Sequence, residues 1–297
     1  MLDTVGWRTY APGWSQPLKI TSSYFSTRRG LRVEVGWHGP FRIRRHEDGM
    51  LLFRGSLPQF VHGSNVETLS VEECREAIHV LQEELDLDPA ECIMSRIDLA
   101  ATMRMPRPVQ QYLPLFGPLP RVLRDIYIGR GVQWVWQHRA VSVYDKALRE
   151  KKKCRVDLPG NLLRFEVQYR SRLKRQLGGV FTLADLMEAQ TVNLLASWWK
   201  VWYDKIEKLP GFEVGLITPR VSDLDKLIGR IGIDTVGFDR LLAWINAAGV
   251  TSLQKGRLRT RLKMRAQTSP SPVSSALISE LDAAVSYACS AFCNPNL

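Results

Sequence analysis

Three short stretches of the 297-residue chain carry residue types that could work on a phosphodiester: MSRIDLAAT, VSVYDK and LLRFEVQYR. On a strand successive side chains alternate between faces. Read that way, Ile97 and Leu99 share one face while Arg96 and Asp98 share the other. Likewise Ser142, Tyr144 and Lys146 lie opposite Val141 and Val143, and Arg164, Glu166, Gln168 and Arg170 lie opposite Leu163, Phe165, Val167 and Tyr169. If these strands pair with their polar faces aligned, Asp98, Tyr144 and Glu166 converge, ringed by Arg96, Lys146 and Arg164. Carboxylates bind hard cations such as Mg²⁺ or Mn²⁺ through oxygen, and the cation polarises a phosphoryl oxygen. A tyrosine phenol beside such charges can serve as a nucleophile at phosphorus, and basic neighbours hold the flanking phosphates. The competing account is that a charged face of an antiparallel sheet is simply solvated surface.

The rest of the sequence supplies elements to position these strands. LRVEVGW (31 to 37) alternates, WHGP turns, and FRIRRHEDGMLLFRG reads as a hairpin around Asp48-Gly49. SVEECREAIHVLQEEL (70 to 85) opens with Ser70 and Glu73 at capping-box spacing and continues with apolar residues at helical spacing. A buried strand is predicted over 92 to 103 and a short helix near Val109 to Leu113. Further strands are predicted over 124 to 129, 132 to 137, 140 to 146 and 162 to 170, with KKKCRVDLPGN as a basic loop between the last two. From Thr182 the pattern turns helical, with helices expected from 182 and at 222 to 230, 236 to 247, 252 to 266 and, after SPSPVSS, 274 to 292. The fold class expected is α+β: an antiparallel-sheet domain with flanking helices over 1 to 178, a seam at Gly178-Gly179, and a mostly helical domain over 179 to 297.

Bulk composition points the same way. The net charge is +11 and the isoelectric point about 9.6, which favours polyanionic partners, nucleic acid first and an anionic membrane surface second. No apolar run approaches the ~20 residues of a membrane span, and the start MLDTVGWRTY lacks the pattern of a secretory signal. The expected location is the cytoplasm. The five cysteines show no CxxC spacing, and reduced thiols are expected. The five histidines (His38, His46, His62, His79, His138) include no two that are two apart, so a paired-histidine metal site is not expected.

In order, SRIDLAA, IYIGRG, VSVYDKALRE and LLRFEVQYR resemble the replication initiators of filamentous phages, of the gene II and gene X type, and the related trans-acting initiators of rolling-circle plasmids. GSLPQFVHGSN (55 to 65) resembles the G-S-x-x-K-F-x-x-G-N-N element of the phage members, and LDTVGWR resembles their first strand. The resemblance covers roughly residues 1 to 175. It implies a rolling-circle initiator: a metal-dependent, site-specific single-strand DNA endonuclease and ligase acting at a phage or plasmid origin in a bacterial host. It implies Tyr144 as the nucleophile forming a 5′-phosphotyrosyl link, and Asp98 and Glu166 as ligands of Mg²⁺ or Mn²⁺. Lys146 and Arg164 are expected to neutralise phosphate charge. Two positions depart from the family pattern: Gln59 stands where phage members tend to have Lys, and Thr102 where plasmid members tend to have an acid.

For DNA binding, Arg96 and Arg170 flank the expected site, and Trp134 and Trp136 offer either stacking faces for unpaired bases or cover for the sheet. LQKGRLRTRLKMR is the densest basic cluster, with Lys255, Arg257, Arg259, Arg261, Lys263 and Arg265 suited to a duplex backbone whether helix or strand. FDRLLAWINAAGV ahead of it could open a helix-turn-helix. The partners expected are origin DNA, single- and double-stranded, a host helicase and polymerase, and a second copy of the chain, with no membrane. The alternative class is a non-enzymatic DNA-binding replication or repressor protein that keeps the fold.

Overall fold

The computed structural model describes residues 1–16, 18–122, 124–127, 130–179, 181–209, 229, 233, 238–266 and 272–293. Its described strands form one antiparallel sheet of ten in the order β2-β3-β4-β5-β1-β6-β10-β9-β8-β7. They are β1 (Leu2–Tyr10), β2 (Lys19–Ser26), β3 (Leu31–His38), β4 (Phe41–His46), β5 (Met50–Ser56), β6 (Ile93–Met105), β7 (Arg124–Tyr127), β8 (Gly131–Val135), β9 (Arg139–Asp145) and β10 (Asn161–Tyr169). The hairpin expected at Asp48-Gly49 joins β4 to β5, with Gly49 at φ +85°, a backbone that favours glycine.

The helices of the first compact unit, Met1–Glu207 with Glu280–Leu297, are α1 (Leu57–His62), α2 (Val71–Leu85), α3 (Val109–Tyr112), α4 (Lys146–Cys154), α5 (Leu173–Leu177) and α6 (Ala189–Lys205). The capping box of α2 forms as its sequence predicts: Glu73 N–H donates to Ser70 Oγ at 3.1 Å, and Ser70 N–H to Glu73 Oε2 at 2.7 Å. Its Val71, Cys74, Ile78, Leu81 and Leu85 are buried. The residues Trp7, Phe41, Ile43 and Phe53 build the core at one end of the sheet, with the Trp7 and Phe53 rings stacked at 4.9 Å. At the other end Phe165 meets Trp199 and Tyr203 of α6, and Trp199 Nε1 donates to the Phe165 carbonyl at 3.2 Å. The run of aromatics in this helix is therefore packing against the sheet.

The unit thus continues past Gly178-Gly179, where the seam was expected. A Thr182–Asp185 cap (Thr182 N–H to Asp185 Oδ2, 2.6 Å) opens only a 3₁₀ turn, Ala184–Met187, and α6 starts afterwards at Ala189. The second unit, Lys208–Ser279, contains α7 (Phe238–Ala247) and α8 (Ser252–Ala266). The helix predicted over 222 to 230 lies, apart from Gly229, outside the described residues. The last helix, α9 (Pro272–Cys293), returns to the sheet unit from Glu280 onward: Arg107 and Tyr112 bond Glu280, and Tyr203 bonds Asp282. Its Leu281 and Val285 are buried. No helix among the described residues is long and apolar enough to cross a membrane.

Sequence reading missed α4, taking KKKC as loop. Its last turn carries Lys151, Lys152 and Lys153, which complement the helix dipole. Asp145 caps it, accepting from Leu148 N–H at 2.9 Å, and Lys146 pairs with Glu150 one turn on at 2.7 Å. Ala147, Leu148 and Cys154 are its only apolar residues, so the segment offers few apolar positions to mark a helix against the run of lysines.

Candidate active site

The three polar strand faces do align. In the ladders Gln168 stands opposite Asp98, Glu166 opposite Ser142 and Ala100, and Arg164 opposite Tyr144 and Thr102. Directly paired residues project to the same face. Asp98, Tyr144 and Glu166 therefore share one face of β6, β9 and β10, opposite the face that holds Phe165 and α6.

The central contact is a hydrogen bond from the Tyr144 hydroxyl to Glu166 Oε2 at 3.1 Å. The other oxygen, Oε1, accepts from Gln168 Nε2, and Gln168 Oε1 in turn accepts from Arg170 Nε at 2.9 Å and Nη2 at 2.7 Å. The Tyr144 hydroxyl, the Glu166 carboxylate, the Gln168 amide and the Arg170 guanidinium thus form one hydrogen-bonded chain. Burial raises the pKa of the phenol well above the ordinary tyrosine value; the Glu166 charge adds to this, while Arg164 and Arg149 work against it. The Arg149 guanidinium lies 4.5 Å from the ring centre of Tyr144.

Tyr144 has room only because residue 131, opposite it on β8, is glycine. A Cβ there would sit 2.6 Å from the Val143 carbonyl oxygen and 2.8 Å from Tyr144 Cβ. Gly131→Ala is expected to push the tyrosine off Glu166 and reduce any tyrosine-dependent reaction by about 10²-fold or more, which initial rates on one substrate would measure.

Beside Tyr144 opens a cavity of about 550 Å³, walled by Arg130, Gln133, Arg149, Lys152, Lys153 and Arg170. Its volume lies in the range of small-ligand pockets, and its charge suits a phosphate.

Asp98 is 2% exposed. Its Oδ2 receives Arg96 Nη2 at 2.6 Å and Nε at 3.0 Å, while its Oδ1 has no partner among the described residues. Burial pushes its pKa up to about 7 against the pull of Arg96, with Glu166 and Asp3 raising it further. Two carboxylates that repel, one with an orphaned oxygen, fit a bound divalent cation. No group of three His, Cys, Asp or Glu among the described residues is arranged to hold a metal. Mg²⁺, however, needs only one or two carboxylates and keeps several waters.

Lys146 stands elsewhere than expected, whereas Arg164 lies on the expected strand face, opposite Tyr144, but is buried there. The strand ends at Asp145, so Lys146 opens α4 rather than extending the tyrosine face. It is 1% exposed, bonded to Asn65 Oδ1 and Glu150 Oε1, each at 2.7 Å. Arg164 is 2% exposed and holds Asp3 Oδ2 at 2.9 Å, Thr102 Oγ1 at 2.9 Å and the Asn65 carbonyl at 2.8 Å. Burial opposes its charge, but Asp3, Tyr144 and Glu166 more than offset that and hold it protonated. Both cations are themselves buried and are bonded to protein groups beneath the site face.

Asp3 and Asn65 are the residues that sequence reading overlooked. Asp3 reaches this face through a register shift between Leu2 and Val5 against β6, which no sequence period announces. Asn65 ends the GSLPQFVHGSN stretch, so that motif ties the loop after α1 to Lys146 and Arg164. Arg164→Met would leave Asp3 buried without its cation and is expected to cost about 3–5 kcal/mol, read from the denaturant midpoint.

Of the residues expected to touch DNA, Arg96 and Arg170 do lie on the site face. Trp134 does not: it is 0% exposed, on the opposite parity, within the core. Trp136 packs on Trp202 at 5.4 Å with Arg139 over both rings. In the second unit, 252 to 266 is a helix, which settles that element. Lys255 bonds the Asn246 carbonyl and Arg259 the Asn246 side chain, holding α8 to α7, while Arg257, Arg261 and Lys263 are exposed. The side chain of Arg265 lies outside the described residues.

Fold and site together define an α+β protein on a single antiparallel sheet, whose polar face carries a tyrosine–carboxylate pair beside a basic cavity. No protein-family model and no curated protein matches the sequence. The structure is similar to that of a rolling circle replication initiator protein from Geobacillus stearothermophilus, at 11% identity and a TM-score of 0.35, covering 67% of this chain and 83% of that one. An overlap of that size carries no weight for residue roles.

Proposed function

We propose that this chain is a rolling-circle replication initiator: a metal-dependent enzyme that nicks and rejoins single-stranded DNA at a phage or plasmid origin through a 5′-phosphotyrosyl intermediate. The observation that carries the reading is the 3.1 Å hydrogen bond from Tyr144 to Glu166 in the wall of a basic cavity. The ordered motifs that resemble phage and plasmid initiators support it independently.

In this mechanism Glu166 accepts the phenolic proton as the Tyr144 oxygen attacks phosphorus. The bond from phosphorus to the 3′-oxygen breaks, and that oxygen takes a proton from water and becomes the primer 3′-OH. Glu166 releases its proton to solvent. Rejoining is the reverse transfer, with a 3′-OH displacing Tyr144. Arg130, Arg149, Lys152 and Lys153 place the flanking phosphates. Asp98 and Glu166 would hold Mg²⁺ or Mn²⁺, which when bound polarises a phosphoryl oxygen and offsets charge on the phosphate. The exposed cations of α8 would contact the duplex backbone.

The test is incubation with 3′-labelled single-stranded DNA of the chain's own replicon and Mn²⁺ or Mg²⁺, followed by a denaturing gel. A metal-dependent labelled protein band is expected. A second reading, a DNA-binding replication or repressor protein without chemistry, draws on the burial that raises the pKa of the Tyr144 phenol and so works against its ionisation. It predicts retarded DNA on a native gel and no covalent band under any metal.

A further inference from the structure

The site face continues beyond the carboxylates, and a row of arginines crosses it. In the ladders Arg42 pairs with Arg54, Arg54 with Gly6, and Gly6 with Arg96. Arg170 lies one residue past the Tyr169–Ile97 pair, which puts it next to Arg96 in the same line. Directly paired residues share a face, so these four arginines stand on one transverse line across β4, β5, β1, β6 and β10. With strands about 4.8 Å apart, the line runs about 19 Å.

Gly6 supplies no side chain between Arg54 and Arg96, and a Cβ there would come within 3.2 Å of Arg96 Cβ and of the Phe53 carbonyl oxygen. The middle of the row is therefore floor without obstruction. Arg42 and Arg54 are exposed and have no carboxylate partner among the described residues. Partial burial and the neighbouring Arg96, Arg170 and Arg44 lower the pKa of Arg54, with Asp98 opposing. A folded sheet holds these like charges side by side at a cost, and an extended polyanion would offset it. At its inner end the row reaches Arg170, which orients Gln168 and Glu166 and also borders the cavity beside Tyr144.

We infer that Arg42, Arg54, Arg96 and Arg170 form a phosphate track that holds the single strand on one side of the Tyr144 site, while the basic cavity holds the other side. This deepens the proposed function and rests on it for the identity of the strand. The occupant is a single-stranded phosphodiester backbone, since a sheet face one side chain deep can follow one strand.

The test is fluorescence anisotropy of a labelled 20-nucleotide single strand across a salt series, comparing the full chain with Arg42→Gln/Arg54→Gln. Two lost phosphate contacts should flatten the slope of log affinity against log salt by about 1.4, at ~0.7 per phosphate. Binding of a short oligonucleotide that spans only the nick should be unchanged. An unaltered slope with the long strand overturns the track. So does a double variant that keeps the slope but releases vesicles of phosphatidylserine and phosphatidylcholine, which would make the row a lipid contact. Failure of the proposed function reads differently: no covalent adduct would form in the unsubstituted protein, whatever the slope.

Discussion

Tyr144→Phe is expected to abolish the metal-dependent covalent adduct, a loss of at least about 10³-fold, or roughly 4 kcal/mol of transition-state stabilisation. The substitution removes one oxygen and leaves the ring, which still sits under Arg149. Glu166 loses a hydrogen bond worth about 1 kcal/mol and keeps that from Gln168. The fold should therefore persist, and single-strand affinity with its salt dependence should match the unsubstituted protein. Glu166→Gln should impair the adduct comparably while the phenol remains in place, because an amide cannot take the proton. Adduct yield and anisotropy on the same preparations separate loss of chemistry from loss of binding.

The second large effect concerns pH and Asp98. The unfolded chain releases this proton near the ordinary carboxylate value of ~4, whereas in the fold the group titrates at about 7. Between those values the unfolded state is ionised and the native state still binds a proton. Metal-free stability should thus fall as pH rises from about 4 to about 7, by up to a few kcal/mol, and level off above. Asp98→Asn removes this dependence. Without metal at pH 8 it should melt higher than the unsubstituted protein by on the order of 5 °C, and at pH 4 the two should agree. Mn²⁺ should reverse the order at pH 8, because a cation that binds the ionised carboxylate stabilises only a chain that has it. Calorimetry at the two pH values, with and without Mn²⁺, measures all of this. An Asp98→Asn protein that gained Mn²⁺ stabilisation equal to the unsubstituted chain would remove Asp98 from the ligand set.

How far the sequence could be read follows from what each feature depends on. The period of two placed Asp98, Tyr144 and Glu166 on polar faces, and the ladders then brought those faces together. That signal is local and survives any choice of neighbouring strand. Lys146 broke the same rule because a strand parity holds only while the strand lasts, and the Asp145 cap ends it one residue earlier. Trp134 and Trp136 have equal parity, but the first is inside β8 and the second beyond it, so one alternation gave two environments. Asp3 depends on a register shift and Asn65 on a loop crossing to α4. Both are long-range consequences of packing, visible only once the sheet order is known. The helical segment past Gly179 was legible as helix, but its attachment to the sheet rests on Trp199 and Tyr203 reaching Phe165, which amphipathic spacing cannot assign to a partner.

The proposed chemistry turns on which oxygen takes the DNA. Trypsin and nuclease digestion of the adduct followed by mass spectrometry would locate the attached nucleotide. The peptide Ala140–Lys146 holds Tyr144 as its one tyrosine, and a nucleotide 5′-phosphate is expected on that residue. Tyr127, half exposed at the rim of the same cavity, is the nearest rival, and a nucleotide there, with Ala140–Lys146 unmodified, would contradict the assignment.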